Sequence, residues 1–188
     1  MSTLTRDQLL SEAEGLIRRG GYAAFSYAHL ADKIGITKAS IHYHFPSKQH
    51  LLEAVTELGM SRFIDALAEI ETLHPDAGVR LQQYGELFID GFDEQFRPLC
   101  CALSSELAVL PSSMAVKVRV YFDLHLEWLT RIIEAGFQDK TLHWNGTAAE
   151  LAGLILSTLE GGSLVARARN SKSEVLAGFA QVLALAKA

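Results

Sequence analysis

Apolar residues recur at spacings of three and four through every long segment of this 188-residue chain. That period belongs to helices with one buried face. No run alternates apolar with polar residues as a half-buried strand does, and no two-residue hairpin turn joins two such runs. The chain is therefore predicted to be all-α, with about nine helices. Its 49% hydrophobic content suffices for a buried core, and its length suits one domain or a small head on a larger body. No run of 18 or more apolar residues occurs, and MSTLTRDQLL has neither the basic flank nor the apolar centre of a secretory signal. A cytoplasmic protein without membrane association is expected. The two cysteines, Cys100 and Cys101, are adjacent, which fits a reducing compartment and builds neither a loop-closing disulfide nor a CxxC metal site.

The helix boundaries can be read from capping chemistry. The first helix is expected to start at Thr5, in a capping box with Gln8, and to bury Leu9, Leu10, Ala13, Leu16 and Ile17 before RRGGY ends it. A short second helix should run from Ser26, as its N-cap, to Ile34, with Gly35 closing it. A third should begin at Thr37 and stop before Pro46, because proline disfavours helical geometry in the residue ahead of it. Ser47 should then cap a long fourth helix. Further helices are expected over about 78–95, 99–109, 112–137, 148–169 and 172–187, with Pro75, Pro98 and Pro111 near the breaks. Thr147–Glu150 and Ser171–Glu174 both fit the capping-box pattern.

Charge is distributed unevenly. Of the net −5, residues 1–50 contribute +2, from six Lys or Arg and four acids, and the other 138 residues contribute −7. Between Asp32 and Glu53 there is no carboxylate at all, although Lys33, Lys38, Lys48, His42, His44 and His50 lie there. Two short helices joined by GIT in this region form a helix-turn-helix, whose second helix can enter a DNA major groove. Ile36 and Ile41 should face Leu30, Ala31 and Ile34, leaving Lys38, Ala39, Ser40, His42 and Tyr43 outward. Lys and Tyr can bind phosphate, Ser and His can donate to bases or phosphates, and Ala39 is small enough to meet a thymine methyl. The start of the helix at Ser47 and Lys48 is a further phosphate site. A metal is not expected on the histidines, since residues two apart on a helix do not share a face and no Cys or carboxylate accompanies them. No nucleophile with an oriented base can be read nearby, so neither an enzyme nor a cofactor is expected.

The stretch GYAAFSYAHLADKIGITKASIHYHFPSKQHLLEAV, Gly21 to Val55, resembles the DNA-binding head of the tetracycline-repressor (TetR/AcrR) family of regulators. The family's Gly-Val/Ile-Ser/Thr, aromatic, His-Phe and Ser-Lys-x-x-Leu pattern is matched in order and spacing. His42 stands where that pattern most often has Tyr. The resemblance implies a helix-turn-helix DNA-binding domain over 1–50 and a ligand-binding and dimerisation domain over 51–188. It implies base and phosphate contacts by Thr37, Lys38, Ala39, Ser40, His42 and Tyr43, with Ser26, Tyr27, His44 and Lys48 holding the DNA backbone. It also implies a homodimer built on the last two helices, with Leu151, Ile155, Thr158, Gly162, Val165, Phe179 and Leu183 as candidates for the interface. Gly161, Gly162 and Ser163 in mid-helix point independently to a close backbone, either a symmetric partner's or that of a kink lining a pocket. Phe92, Phe96, Cys100, Leu103, Glu106, Tyr121, Phe122, His125 and Trp128, with Phe88, Leu129 and Leu159, are either pocket or plain core. Glu106 and His125 stand out, because a polar group on an apolar face needs a partner that a ligand could supply.

The function expected is a homodimeric repressor that binds a palindromic operator in double-stranded DNA and is released by a small-molecule effector. Two other readings stay open at this level. One is a sensor of electrophiles or oxidants using Cys100 and Cys101, against which stands cysteine's use as a buried apolar filler. The other is a helical small-molecule-binding protein that does not act on DNA.

Overall fold

The computed structural model describes residues 3–93 and 95–187. Among them are nine helices: α1 (Thr3–Gly20), α2 (Tyr27–Ile34), α3 (Lys38–His44), α4 (Lys48–Leu73), α5 (Ala77–Glu86), α6 (Leu99–Ser104), α7 (Ser112–Gln138), α8 (Ala148–Arg169) and α9 (Ser173–Ala186). No strand occurs among the described residues, only an isolated antiparallel bridge between Leu142 and Lys187. The fold is all-α, as the periodicity requires.

The helix starts and stops follow local chemistry in most places. Thr147 and Glu150 form the expected capping box, the hydroxyl accepting from Glu150 N–H while the carboxylate accepts from Thr147 N–H. Asn170, in the left-handed conformation, ends α8. Three expectations are corrected. Thr5 lies inside α1, which already runs from Thr3, so it is not the cap. The Ser171–Glu174 capping box does not form, because Glu174 accepts from Arg169 at 2.7 Å and the Ser171 hydroxyl meets that of Ser173. α5 stops at Glu86 and α6 at Ser104, well short of 95 and 109. Beyond both ends the backbone tightens into i→i+3 bonds, such as Phe88 N–H to Gly85 O and Leu107 N–H to Ser104 O. Gly91 and Gln95, both at positive φ, then depart from helical geometry.

The chain forms two compact units, one of residues up to Arg62 with Leu99–Arg119, the other of Phe63–Pro98 with Val120 onward. This division by compactness differs from the functional one expected at residue 50, since α6 packs on α1. In the first unit Leu9, Leu10, Ala13 and Ile17 of α1 meet Phe25, Leu30, Ile41, Phe45, Leu51, Leu52 and Val55 in one buried core. In the second, α8 lies along α9 and α5 also packs on α9. Leu81, Tyr84, Leu129, Ile132, Ile133, Leu151, Ile155, Leu159 and Val175 fill its core. α8 is long and apolar enough to cross a membrane by length and composition, and 39% of its most apolar 18-residue window is buried inside the chain.

Glycine decides two close approaches in the second unit. A Cβ on Gly162 would lie 2.9 Å from the Val175 carbonyl oxygen, and one on Gly85 would overlap the Phe179 ring. The backbone that Gly162 was expected to meet is therefore α9 of the same chain. Gly161, by contrast, is exposed, and nothing outside its own helix lies within 4 Å of its Cβ position.

Candidate functional site

The geometry of α2 and α3 is set by three small residues. Ser26 Oγ accepts from His29 N–H at 3.4 Å and starts α2. Gly35, at φ 76°, ends it with its N–H on Ala31 O, and the same carbonyl accepts from Ile36 N–H. Thr37 Oγ1 then accepts from Ser40 N–H at 3.1 Å and starts α3 in a new direction. Ile41 is fully buried and fixes the rotation of α3 about its own axis. Thr37, Lys38, Ala39, His42 and Tyr43 are consequently exposed, with Ser40 half-buried among them. Tyr43 is 76% exposed, which is high for a tyrosine without a partner to cover it.

Behind this face the supporting side chains are tied down. Tyr27 Oη donates to Phe45 O at 2.9 Å, and burial, followed by the nearby Tyr22, raises its pKa to about 12. The His42 ring packs edge-on against Tyr27, with Nδ1 3.2 Å from Pro46 O. His50 Nδ1 lies 2.7 Å from Ser47 Oγ, which also accepts His50 N–H and caps α4. His44 is half-buried, and its Nε2 is enclosed without a hydrogen-bond partner. The three histidines are thus used separately. The Lys48 ammonium sits 4.1 Å from the Tyr22 ring centre and 4.5 Å from that of Phe25, a cation–π clamp. Burial there lowers its pKa, and the charge of Glu106 opposes the change.

Glu106 has a different place from the one expected. Its Oε2 accepts the Tyr22 N–H at 2.6 Å, and its carboxylate fills the space a side chain on Gly21 would need. With Gly21 at φ 86°, the turn between α1 and α2 is held by this acid from beyond α6. The carboxylate thus has its partner within the first unit, and Cys100 and Leu103 are 3% and 1% exposed within α6. Cys101 is equally buried, and neither thiol is in a disulfide.

The second unit holds a buried aromatic site around His125, which is 2% exposed. Its ring stacks on Phe63 with centres 4.0 Å apart, and Tyr121, Phe122, Phe88 and Tyr84 surround it. Nδ1 shares a 2.7 Å hydrogen bond with Tyr84 Oη, while Nε2 has no partner among the described residues. Burial lowers the His125 pKa to about 3, so the ring is neutral near pH 7. Trp128 stacks on Tyr84 and donates through Nε1–H to Glu71 at 2.8 Å. Glu71 also takes both arms of Arg131 at 2.7 Å, which brings its pKa down to about 2. These groups border an open groove of about 420 Å³ floored by Ile64, Leu67, Ala68 and Leu124. Phe63 and Tyr84 were missed in the sequence. A buried tyrosine hydroxyl beside a glycine was the available signal, but its partner stands 41 positions away. Phe92 and Phe96 lie in the turns after α5, and Leu129 and Leu159 are plain core.

Of the interface candidates, Leu151, Ile155, Phe179 and Leu183 are buried within the chain's own core. Thr158 and Gly162 are half-buried, and Val165 is 52% exposed. The outer face of α8 instead presents Leu154, Ser157, Gly161, Leu164, Val165 and Ala168, and that of α9 presents Ala177, Gly178, Ala180, Gln181 and Ala184. No charge interrupts either row.

The family model for bacterial regulatory proteins of the tetR family matches residues 9–55, which spans α1 to the start of α4. Over 98% of both chains, the structure superposes on a TetR-family transcriptional regulator from Agrobacterium tumefaciens, with 33% identity and a TM-score of 0.94. The chain belongs to the TetR family of transcriptional regulators. A TetR regulator from Legionella pneumophila is 29% identical with a TM-score of 0.89, covering 100% of this chain and 99% of that one. Among sequence relatives, the nucleoid occlusion factor SlmA of Marinobacter nauticus is 27% identical over 83% of this chain and 80% of its own. The transcriptional regulator CymR of Pseudomonas putida is 26% identical over 70% and 67%. TetR-family regulators are in general DNA-binding proteins rather than enzymes, and the outer face of α3 in this chain carries no carboxylate.

Proposed function

We propose that this TetR-family regulator is a homodimeric repressor that binds a palindromic operator and is released by a small molecule held in its second unit. The observation that carries the reading is the outer face of α3, where Thr37, Lys38, Ala39, Ser40, His42 and Tyr43 stand exposed or half-exposed with no carboxylate between Asp32 and Glu53. A polyanion accounts for that absence, because acids there would repel phosphate. Ser26 and Tyr27 at the start of α2, with His44 and Lys48, would hold the DNA backbone. The exposed positions of α8 between residues 154 and 168 and of α9 between 177 and 184 carry no charge, which supports dimerisation, since a monomer gains nothing from an uncharged solvent-facing row. Two heads would then engage successive major grooves roughly 34–36 Å apart. His125 supports the effector reading: a buried ring nitrogen without a partner is a hydrogen-bonding position that a ligand can complete. Such a ligand changes operator affinity only through unequal affinity for the two states of the dimer. A DNA-binding regulator of this kind works in the cytoplasm, where the chromosome is.

Gel-shift with DNA from upstream of the protein's own gene tests the reading. The expected result is a salt-sensitive complex at a palindrome, weakened as salt rises from 50 to 200 mM. Absence of binding to any palindrome there refutes it. Sedimentation of the protein alone tests the dimer, and a monomer at micromolar concentration removes that part. Small-molecule release fails if compounds that quench Trp128 fluorescence on binding leave the DNA complex intact.

A further inference from the structure

We infer that His42 gives this head a base preference of its own, by presenting Nε2 as a hydrogen-bond acceptor to an amino group, adenine N6 or cytosine N4, in the major groove. The inference rests on the reading of α3 as the helix that enters the groove. Its starting point is a constraint on tautomer. His42 Nδ1 lies 3.2 Å from the Pro46 carbonyl oxygen, which can only accept, so Nδ1 carries the hydrogen. A neutral imidazole has a single N–H, and Nε2 is therefore left with an open lone pair.

The ring is also held in direction. On one side it packs edge-on against Tyr27, with centres 4.8 Å apart. Tyr27 is itself anchored, through its hydroxyl, to Phe45 O at 2.9 Å. With Nδ1 tied to the chain just beyond α3, Nε2 is the nitrogen left for an outside partner. His42 is exposed, one turn on from Lys38 and Ala39 and next to the open Tyr43. In the major groove the amino donors are adenine N6 and cytosine N4, whereas guanine offers acceptors at O6 and N7. An acceptor on the protein thus favours A or C on the contacted strand and disfavours G. A tyrosine at this position carries a hydroxyl that can donate to phosphate, and so has no such restriction.

The experiment has two arms, both on the full-length protein at pH 8. Nitrogen–proton correlation NMR of the imidazoles reads the tautomer directly: Nδ1–H is expected for His42, and Nε2–H overturns the inference. Selection from a randomised double-stranded DNA library, with wild-type, His42→Phe and His42→Tyr, reads the consequence. Wild-type is expected to enrich A or C at one position in each half-site, and both variants to lose that preference by about five- to tenfold while keeping the rest of the site. Unchanged melting temperatures separate this from misfolding, since His42 is on the surface. An identical consensus from all three proteins overturns the role of His42 and leaves the DNA-binding reading standing. No enriched sequence from any of them refutes both.

Discussion

His42 on α3 and His125 on α7 are bonded alike through Nδ1, one to a backbone carbonyl and one to a tyrosine hydroxyl, yet they sit in opposite surroundings. The His42 ring, Lys38 and Tyr43 are exposed to water. Around His125 five aromatic rings exclude water and its pKa falls to about 3. An exposed nitrogen costs nothing while it waits for a partner, because water satisfies it. A buried nitrogen without a partner costs about 1–3 kcal/mol, so its persistence calls for a use. The exposed polar groups of α3 are thus already satisfied by water, whereas the body carries at His125 an unfilled hydrogen-bonding position at a cost.

Four changes break or sharpen that contrast, from the largest effect down. Ile41→Ala empties the centre of the head, where the side chain is fully buried, and is expected to cost about 2–5 kcal/mol. Hydrogen exchange should quicken in α2 and α3, while amides of α8 and α9 keep their protection; equal loss in both would mean that the two regions do not fold separately. Gly162→Ala pushes a methyl against the Val175 carbonyl and is expected to cost about 1–3 kcal/mol in thermal unfolding, whereas Gly161→Ala, facing open space, should not destabilise. Identical effects of the two would contradict the close approach of α8 to α9.

The third change is in pH. His125 has a pKa of about 3 when folded and 6.5 unexposed to the fold, so the unfolded chain binds more protons between those values. Stability contributed by the neutral ring is complete above 6.5 and is lost as pH falls toward 3. His125→Phe should flatten that part of the unfolding curve, and an unchanged slope would show that the ring is not held neutral. The smallest effect is expected from Glu106→Gln, which keeps an acceptor for Tyr22 N–H but removes the charge beside Lys48. Stability in thermal unfolding should drop by about 1 kcal/mol or less, since a neutral acceptor replaces a charged one. Glu106→Ala should do worse than Gln, and equality of the two would assign the whole effect to charge.

The parts of the fold that could be read along the chain are those in which cause and effect lie within a turn of each other. Ser26, Gly35, Thr37 and Pro46 place α2 and α3 through bonds to residues at most four positions away, and Thr147 with Glu150 starts α8 in the same way. Ser171–Glu174 has the same pattern and fails, because Arg169 competes for the carboxylate. Nothing in a four-residue pattern reports such a competitor.

The all-helical class, the helix-turn-helix and its acid-free outer face follow from the order of residues alone, since periodicity, capping and local charge are short-range properties. The company of His125, the backbone beside Gly162 and the service of Glu106 to Tyr22 were decided only by tertiary packing. The bonds and close approaches that define them, His125 to Tyr84, Gly162 to Val175 and Glu106 to Tyr22, join residues 13 to 84 positions apart, across helices whose relative rotation depends on how the whole core fills. A helix's own sequence says which of its faces is apolar, but not which side chain of another helix will meet it there.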